Sequence, residues 1–288
     1  MQLQGKHSKL KINLAKSAGF CSGVKRALDI LLKAAQSNSK IVILGDIVHN
    51  EDVVRSLHKV GIKKVAKLTS GKNTTLVIRA HGAPLKTYQN AKKFNYNIVD
   101  ATCPMVKEIH KIAQKAEKDG YEIIVIGDKK HDEVRGIVGQ LKTKSLVINP
   151  SYFPIKEIKK IKKAAVVVQS TQNMKKTLKL VEKLKQYIKD LQFFNTICNP
   201  TREKQTEIRK MPLENDLMLI IGSKTSANTK RLYEISKSLN KNSYWIQSKE
   251  NINPTWFEKT QSVGITAGAS TPESTIREVI DRIKKITS

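Results

Sequence analysis

The chain has 288 residues, 39% of them hydrophobic and 27% charged, with a formal net charge of +28. This length and composition allow a sizeable core and exclude a disordered chain, and no apolar run approaches the roughly 18 residues that span a bilayer. Arg supplies nine of the 53 basic residues and aromatics make up 5% of the chain. The charge therefore reads as a lysine-rich solvated surface, because nucleic-acid readers gather Arg and stacking aromatics on one face.

The opening MQLQGKHSKLKINLAKS lacks the apolar middle of a signal peptide, which predicts a cytoplasmic protein. KINLAK is a predicted strand, and Gly19 to Cys21 a turn into the helix VKRALDILLKAAQ. The strand KIVILGD, the loop IVHNE and the helix DVVRSLHKVG follow. TLVIRAHGA is a strand running into a His-Gly turn, PLKTYQNAKKF a helix, and YNIVDATC a strand reaching Cys103. Pro104 suits a first helical position, and VKEIHKIAQKAEK carries apolar residues at helical spacing.

The order then repeats. A helix runs to Gly120, followed by the strand YEIIVIGD, the loop KKHDE, the short helix VRGIVGQL and the brief strand LVINP. KEIKKIKK reads as a solvated stretch, AAVVVQST as a strand reaching a polar turn, and MKKTLKLVEKLKQYIKDL as a helix leading to FFNTIC and Cys198. In the last third, REKQTEIRKM is helical, DLMLIIGS a strand, SKTSANT a loop and KRLYEISKSLN a helix. SYWIQS, the strand SVGITAGAS and the helix PESTIREVIDRIKKI close the chain. Strands alternating with helices throughout predict an α/β fold with parallel sheets.

Counting exposes a triplication. Cys21 to Gly45, Cys103 to Gly127 and Cys198 to Gly222 each span 24 residues, and four residues past each glycine stand His49, His131 and Ser226. A second polar turn at a strand end follows in each repeat, at His81, at Ser170 and Thr171, and at Ser270. The repeats divide the chain into 11–102 with Cys21, 103–197 with Cys103 and 198–288 with Cys198, and predict a pseudo-threefold arrangement in which the cysteines converge.

Three thiolates in a reducing compartment suit zinc or an iron–sulfur cluster. Structural zinc sites draw paired ligands from short C-x₂₋₄-C knuckles, and none exists here; ligands spread one per repeat fit a compact cluster better. Three cysteines on a 4Fe–4S cluster leave one iron open to act as a Lewis acid and an electron donor. His49, His81, His131, Ser226, Asn228 and Ser270 fall on loops after strands, where imidazoles, hydroxyls and helix N-termini make a phosphate site; each is also an ordinary capping or surface residue taken singly. Glu133, two residues after His131, is a candidate proton donor to a leaving hydroxyl. Asp132 is its rival, and either residue also suits a helix cap. His7, His58 and His110 read as structural.

AGFCSGVKRAL, RAHG, DATCPMV, HDEVRG, QST, NTIC, GSKTSANTKRL and GITAGASTPE, in this order, resemble the 4-hydroxy-3-methylbut-2-enyl diphosphate reductase family of the methylerythritol phosphate route to isoprenoids. The resemblance covers nearly the whole chain. It implies a trefoil of three small α/β domains around one 4Fe–4S cluster held by Cys21, Cys103 and Cys198. It implies a diphosphate held by His49, His81, His131, Ser226, Asn228 and Ser270, with Ser170 and Thr171 close to the substrate hydroxyl and Glu133 donating the proton. The reaction so implied is a two-electron reductive dehydroxylation giving isopentenyl and dimethylallyl diphosphate, with electrons from a flavodoxin or ferredoxin. No nucleic-acid or membrane partner is implied, and the sequence leaves the oligomeric state open.

The chain departs from the family's usual pattern at Asp132, where proline is common, at Ser170, where threonine is common, at Ala227, where a second serine is usual, and in CNPT after Cys198. Two other classes stay in competition: a three-cysteine dehydratase of the quinolinate synthase type, separated by its lack of need for a reductant, and a basic RNA-binding protein, separated by a salt-dependent gel shift.

Overall fold

The structure, a computed structural model, describes residues 10–37 and 40–288; His7 lies outside the described residues. In chain order the first elements are β1 (Lys11–Leu14), α1 (Ser22–Ala35), β2 (Lys40–Leu44), α2 (Glu51–Lys59), β3 (Lys63–Val65), β4 (Thr74–Ile78), α3 (Leu85–Lys93) and β5 (Asn97–Asp100). Next come α4 (Pro104–Lys118), β6 (Glu122–Ile126), α5 (Asp132–Val138), β7 (Leu146–Ile148), α6 (Ile155–Ile158), β8 (Lys163–Val168), α7 (Met174–Lys185) and β9 (Asp190–Phe193). The remainder holds α8 (Asn199–Glu214), β10 (Leu217–Ile221), α9 (Ala227–Leu239), β11 (Ser243–Ile246), two short 3₁₀ turns, β12 (Ser262–Ala267) and α10 (Glu273–Thr287).

All strand pairs in the named sheets are parallel, and the three sheets share one plan: β3-β2-β4-β5, β7-β6-β8-β9 and β11-β10-β12-β1. The central strands are near-continuous aliphatic runs because helices cover both faces. Ile124, Val125, Val166 and Val167 are fully buried in one sheet, and Leu219, Ile220, Val263 and Ile265 in another. Each such side chain contributes on the order of 1.5–3 kcal/mol.

The chain forms two compact units, one the segment through Cys21 together with Pro200–Ser288, the other Ser22–Asn199. The second unit contains the first two sheets. Gln140 donates to the Ala83 carbonyl at 2.7 Å, and the Leu85 amide to the Gly139 carbonyl at 2.9 Å, tying them together. The first unit contains the third sheet, whose edge strand is β1. Residues 11–14, expected in the first repeat, thus pair with β12 in the register Lys11↔Ser262 to Leu14↔Ile265. The physical reason is that β5 already fills the corresponding edge of the first sheet.

Three local expectations differ from the structure. KEIKKIKK is not wholly solvated: α6 is a single turn, and Ile158 and Ile161 enter the core while the lysines point away. The helix expected through DL at 190–191 stops at Lys185, and DLQF becomes β9. The basic KKV segment is the edge strand β3.

Candidate active site

Every cysteine ends a parallel ladder that outlasts its strands. Beyond β5, the Ala101 amide donates to the Ile78 carbonyl at 2.9 Å, and the Cys103 amide to the Ala80 carbonyl at 3.0 Å. Beyond β9, the Phe194 amide donates to Val166 at 2.9 Å and the Cys198 amide to Ser170 at 3.1 Å. In the other unit, the Gly19 amide donates to Ala267 at 3.4 Å and the Cys21 amide to Ala269 at 3.2 Å. The accepting residues immediately precede His81, Thr171 and Ser270. The rung that places each cysteine therefore also places a polar strand-end residue, which is how one spacing rule serves two kinds of side chain.

None of the three cysteines is in a disulfide, and each is partly exposed. Cys103 occupies the N-cap of α4 without spending its side chain on a capping bond, and Pro104 starts the helix. A cysteine sulfur on a backbone already committed is a soft donor of the kind that suits a thiophilic group.

Within the Ser22–Asn199 unit, three histidines expected on separate loops come together. The ring centroids of His49 and His81 lie 4.6 Å apart, those of His49 and His131 5.3 Å, and those of His81 and His131 5.6 Å. One nitrogen from each lies within 4.8 Å of the others. Burial lowers the pKa of His81 well below the ordinary value, with His49, His131 and Arg79 adding to it. Burial also lowers that of His49, partly opposed by Asp132. Nδ1 of His131 accepts the Glu133 amide at 3.2 Å, so a neutral His131 carries its proton on Nε2 and offers a donor there. Nδ1 of His81 is buried without a protein hydrogen-bond partner. A cage of imidazole donors that needs acceptors fits an anion rich in oxygen.

The two neighbouring carboxylates, equivalent by spacing, are separated by the structure. Asp132 reaches out to Arg79 at 2.7 Å, with Nε2 of His49 3.9 Å away. Glu133 turns inward and is 2% exposed. Its Oε1 accepts the Ser170 amide at 2.5 Å and its Oε2 the Ser170 hydroxyl at 2.7 Å. Burial raises the Glu133 pKa, and the two Ser170 bonds oppose the rise. A carboxyl that holds its proton to higher pH is suited to donate it.

Thr171 is positioned by Gln169, which sequence reasoning did not single out. Gln169 is fully buried; its Nε2 donates to Thr171 Oγ1 at 3.1 Å and its Oε1 accepts the Asp128 amide at 3.0 Å. Its place inside QST, after a run of valines, was the available signal. Arg79, in the RAHG stretch, was also missed as a partner. His110 lies inside α4 as expected, yet it packs beneath the site. A Cβ on Gly82 would stand 2.8 Å from His110 Cε1, so the left-handed turn after His81 (φ 74° at Gly82) needs glycine for space as well as for conformation. His58 lies in α2.

In the unit built on the third sheet, Ser226 caps α9 and accepts the Thr229 amide at 3.3 Å. Ala227 is the first residue of that helix. Asn228 is buried, and its Nδ2 has no protein hydrogen-bond partner. Ser270 is buried at the end of β12. A capped helix start beside an unspent amide donor again suits an oxyanion.

Among the described residues no helix is long and apolar enough to cross a membrane. The profile of the family described as LytB protein matches residues 12–284. A 4-hydroxy-3-methylbut-2-enyl diphosphate reductase of Geobacter metallireducens is 39% identical over 97% of this chain and 99% of its own length. One of Aquifex aeolicus is 38% identical over 96% of each chain. A solved structure of (E)-4-hydroxy-3-methyl-but-2-enyl diphosphate reductase, the terminal enzyme of the non-mevalonate pathway, matches with a TM-score of 0.72 at 37% identity, covering 96% of this chain and 99% of its own. The Plasmodium falciparum E-1-hydroxy-2-methyl-but-2-enyl-4-diphosphate reductase matches with a TM-score of 0.86 at 28% identity, covering 95% and 87%.

Proposed function

The chain belongs to the LytB protein family and is an oxidoreductase, and from that premise we propose that it removes the allylic hydroxyl of 4-hydroxy-3-methylbut-2-enyl diphosphate. The substrate takes up two electrons and two protons; its C–O bond breaks, a C–H bond forms, and water leaves with isopentenyl or dimethylallyl diphosphate. The observation that carries this reading is the pairing, in one unit, of the three-imidazole cage with a buried Glu133 whose pKa burial raises.

In this reading His49, His81 and His131 bind the diphosphate together with Ser226, Asn228 and Ser270. Acceptor-only phosphate oxygens match the donors at His131 Nε2, His81 and Asn228. Glu133 delivers its proton to the departing hydroxyl. Ser170 holds that carboxyl in place through two bonds, and Thr171, oriented by Gln169, stands beside the hydroxyl. Cys21, Cys103 and Cys198 would hold one 4Fe–4S cluster, and their soft sulfur donors on ladder-fixed backbones fit it. When bound, the cluster supplies the electrons and a Lewis-acidic iron.

The electron donor in this reading is a small acidic carrier, a flavodoxin or ferredoxin, steered by the +28 charge. The setting in this reading is a reducing cytoplasm, which suits three cysteines that form no disulfide. The test is iron and acid-labile sulfide per chain after anaerobic purification, together with turnover of the hydroxylated diphosphate under a low-potential reductant. Four irons with isopentenyl and dimethylallyl products support the reading. Absence of iron after reconstitution, or a cluster with no turnover, refutes it.

A further inference from the structure

Two side chains of α8, in the unit of the third sheet, bond to the loop that delivers Cys21. Lys204, on α8, is 2% exposed and is the largest of the fully buried side chains. Its Nζ donates to three backbone carbonyls: Ser17, Gly19 at 3.0 Å and Ala267 at 3.2 Å. One turn later on the same face, Glu207 Oε2 accepts the Ser17 amide at 3.1 Å and also the Ser17 hydroxyl. The two side chains thus hold both polar groups of the Ser17 backbone, the Ser17 side chain and the carbonyl two residues before Cys21.

The Ala267 carbonyl is shared. It accepts the Gly19 amide and the Lys204 ammonium, and it is followed two residues later by the Ala269 carbonyl that accepts the Cys21 amide. Gly19 adopts φ 89°, and a Cβ there would stand 3.1 Å from Ile276 Cδ1, so the turn is fixed by packing on one side and by Lys204 on the other. An ammonium removed from water needs all its protons satisfied, and its desolvation costs several kcal/mol per ion in a protein interior. The use of a buried ammonium, on the carbonyl of Gly19 two residues before Cys21, is what distinguishes this contact from ordinary packing.

We infer that Lys204 and Glu207 are positioning residues for the iron–sulfur ligand Cys21: they fix the loop that presents its thiolate, and the Lys204 charge favours the reduced state of the bound cluster. This rests on the reading of Cys21 as a ligand. The charge component follows from electrostatics, since a buried cation stabilises the form with the extra electron. The positional component follows from the general behaviour of residues that hold metal ligands, whose loss costs about 10–100-fold in metal affinity or activity.

The experiment compares the parent with Lys204→Met, Lys204→Arg and Glu207→Gln. On reconstituted protein the readouts are the rate of iron loss to a chelator and the midpoint potential of the cluster. On iron-free protein the readout is amide hydrogen exchange at Gly19 and Cys21. Lys204→Met is expected to lose iron about ten-fold faster or more, to show a more negative potential and to exchange both amides faster. Lys204→Arg is expected to restore the potential, because the charge returns, and Glu207→Gln to speed exchange and to make the potential less negative, because a negative charge against the same loop is lost. Parent-like iron retention, potential and exchange in Lys204→Met overturn the inference. If Lys204→Met does not fold, an unchanged exchange rate in Glu207→Gln overturns it. A parent that takes up no iron defeats the ligand reading instead, while exchange in the iron-free variants still decides whether the clamp holds Cys21.

Discussion

Glu133 takes both hydrogen-bond donors of Ser170, the amide at 2.5 Å and the hydroxyl at 2.7 Å. A single serine therefore fixes the orientation of the carboxyl and moderates the rise in its pKa that burial causes. Glu133→Gln is expected to keep the iron content of the parent and to lose about 10²–10⁴-fold in turnover, the range for a positioned proton donor. Steady-state rates near the parent's would remove Glu133 from that role.

Ser170→Ala removes one of the two bonds that lower the Glu133 pKa, so that pKa moves further up. Activity that requires the protonated acid is lost as pH rises through its pKa. The alkaline limb of the pH–rate profile in Ser170→Ala is expected at higher pH than in the parent. An unmoved or acid-shifted limb would contradict the assignment.

Asp132 neutralises Arg79 across 2.7 Å and stands 3.9 Å from His49. In Asp132→Asn the Arg79 charge is left next to the histidine cage. Partly screened charges at this separation interact by about 1 kcal/mol or somewhat more. KM for the diphosphate is expected to fall about three- to ten-fold at low salt, with the difference shrinking as salt rises. A higher KM at every ionic strength would show that the carboxylate orders His49 more than it repels substrate.

His110 is buried against the turn after His81, and burial lowers its pKa to about 4. The unfolded chain binds a proton below about pH 6.5 that the folded chain excludes, so stability is lost as pH falls from 6.5 towards 4. The full effect is about 3 kcal/mol, and His81 acts in the same direction. Urea unfolding followed by circular dichroism at pH 7.5, 5.5 and 4.5 is expected to show this loss, with a shallower slope in His110→Gln. Equal slopes would place the acid sensitivity elsewhere.

Gly45 has φ 82°, and a Cβ there would lie 2.5 Å from Nη1 of Arg79. Gly45→Ala is expected to cost about 1–3 kcal/mol in unfolding free energy from the backbone conformation, and also to push Arg79 off Asp132. A variant as stable as the parent, with an unchanged KM, would refute the constraint.

The 24-residue offsets were legible because each repeat needs the same helix and strand lengths to bring a cysteine, a glycine and a polar loop residue to one sheet edge. The sheets repeat that plan without exception. Strands β3 and β9 were not legible: KKV is charged and three residues long, and DLQF continues the lysine-rich pattern of the helix before it. Nor could spacing separate Asp132 from Glu133. Their difference depends on which side chain faces Arg79 and which faces Ser170, two partners 53 and 37 residues away in sequence. Lys204 escaped notice for a related reason: among so many lysines, composition predicts solvent, and only tertiary packing shows one turned inward.

The pairing of β1 with β12 joins Lys11 to Ser262, residues 251 apart, so β1 has to wait on the ribosome until β12 has been made. Domains with local contacts can fold as they emerge, but this edge cannot close until β12 emerges. The loop carrying Cys21 stays unzipped from Ala267 and Ala269 for the same interval. A nascent chain therefore carries its other two cysteines on completed ladders while the third is still untethered. A chain cut short before β12 would be left without the backbone that holds one of its three cysteines.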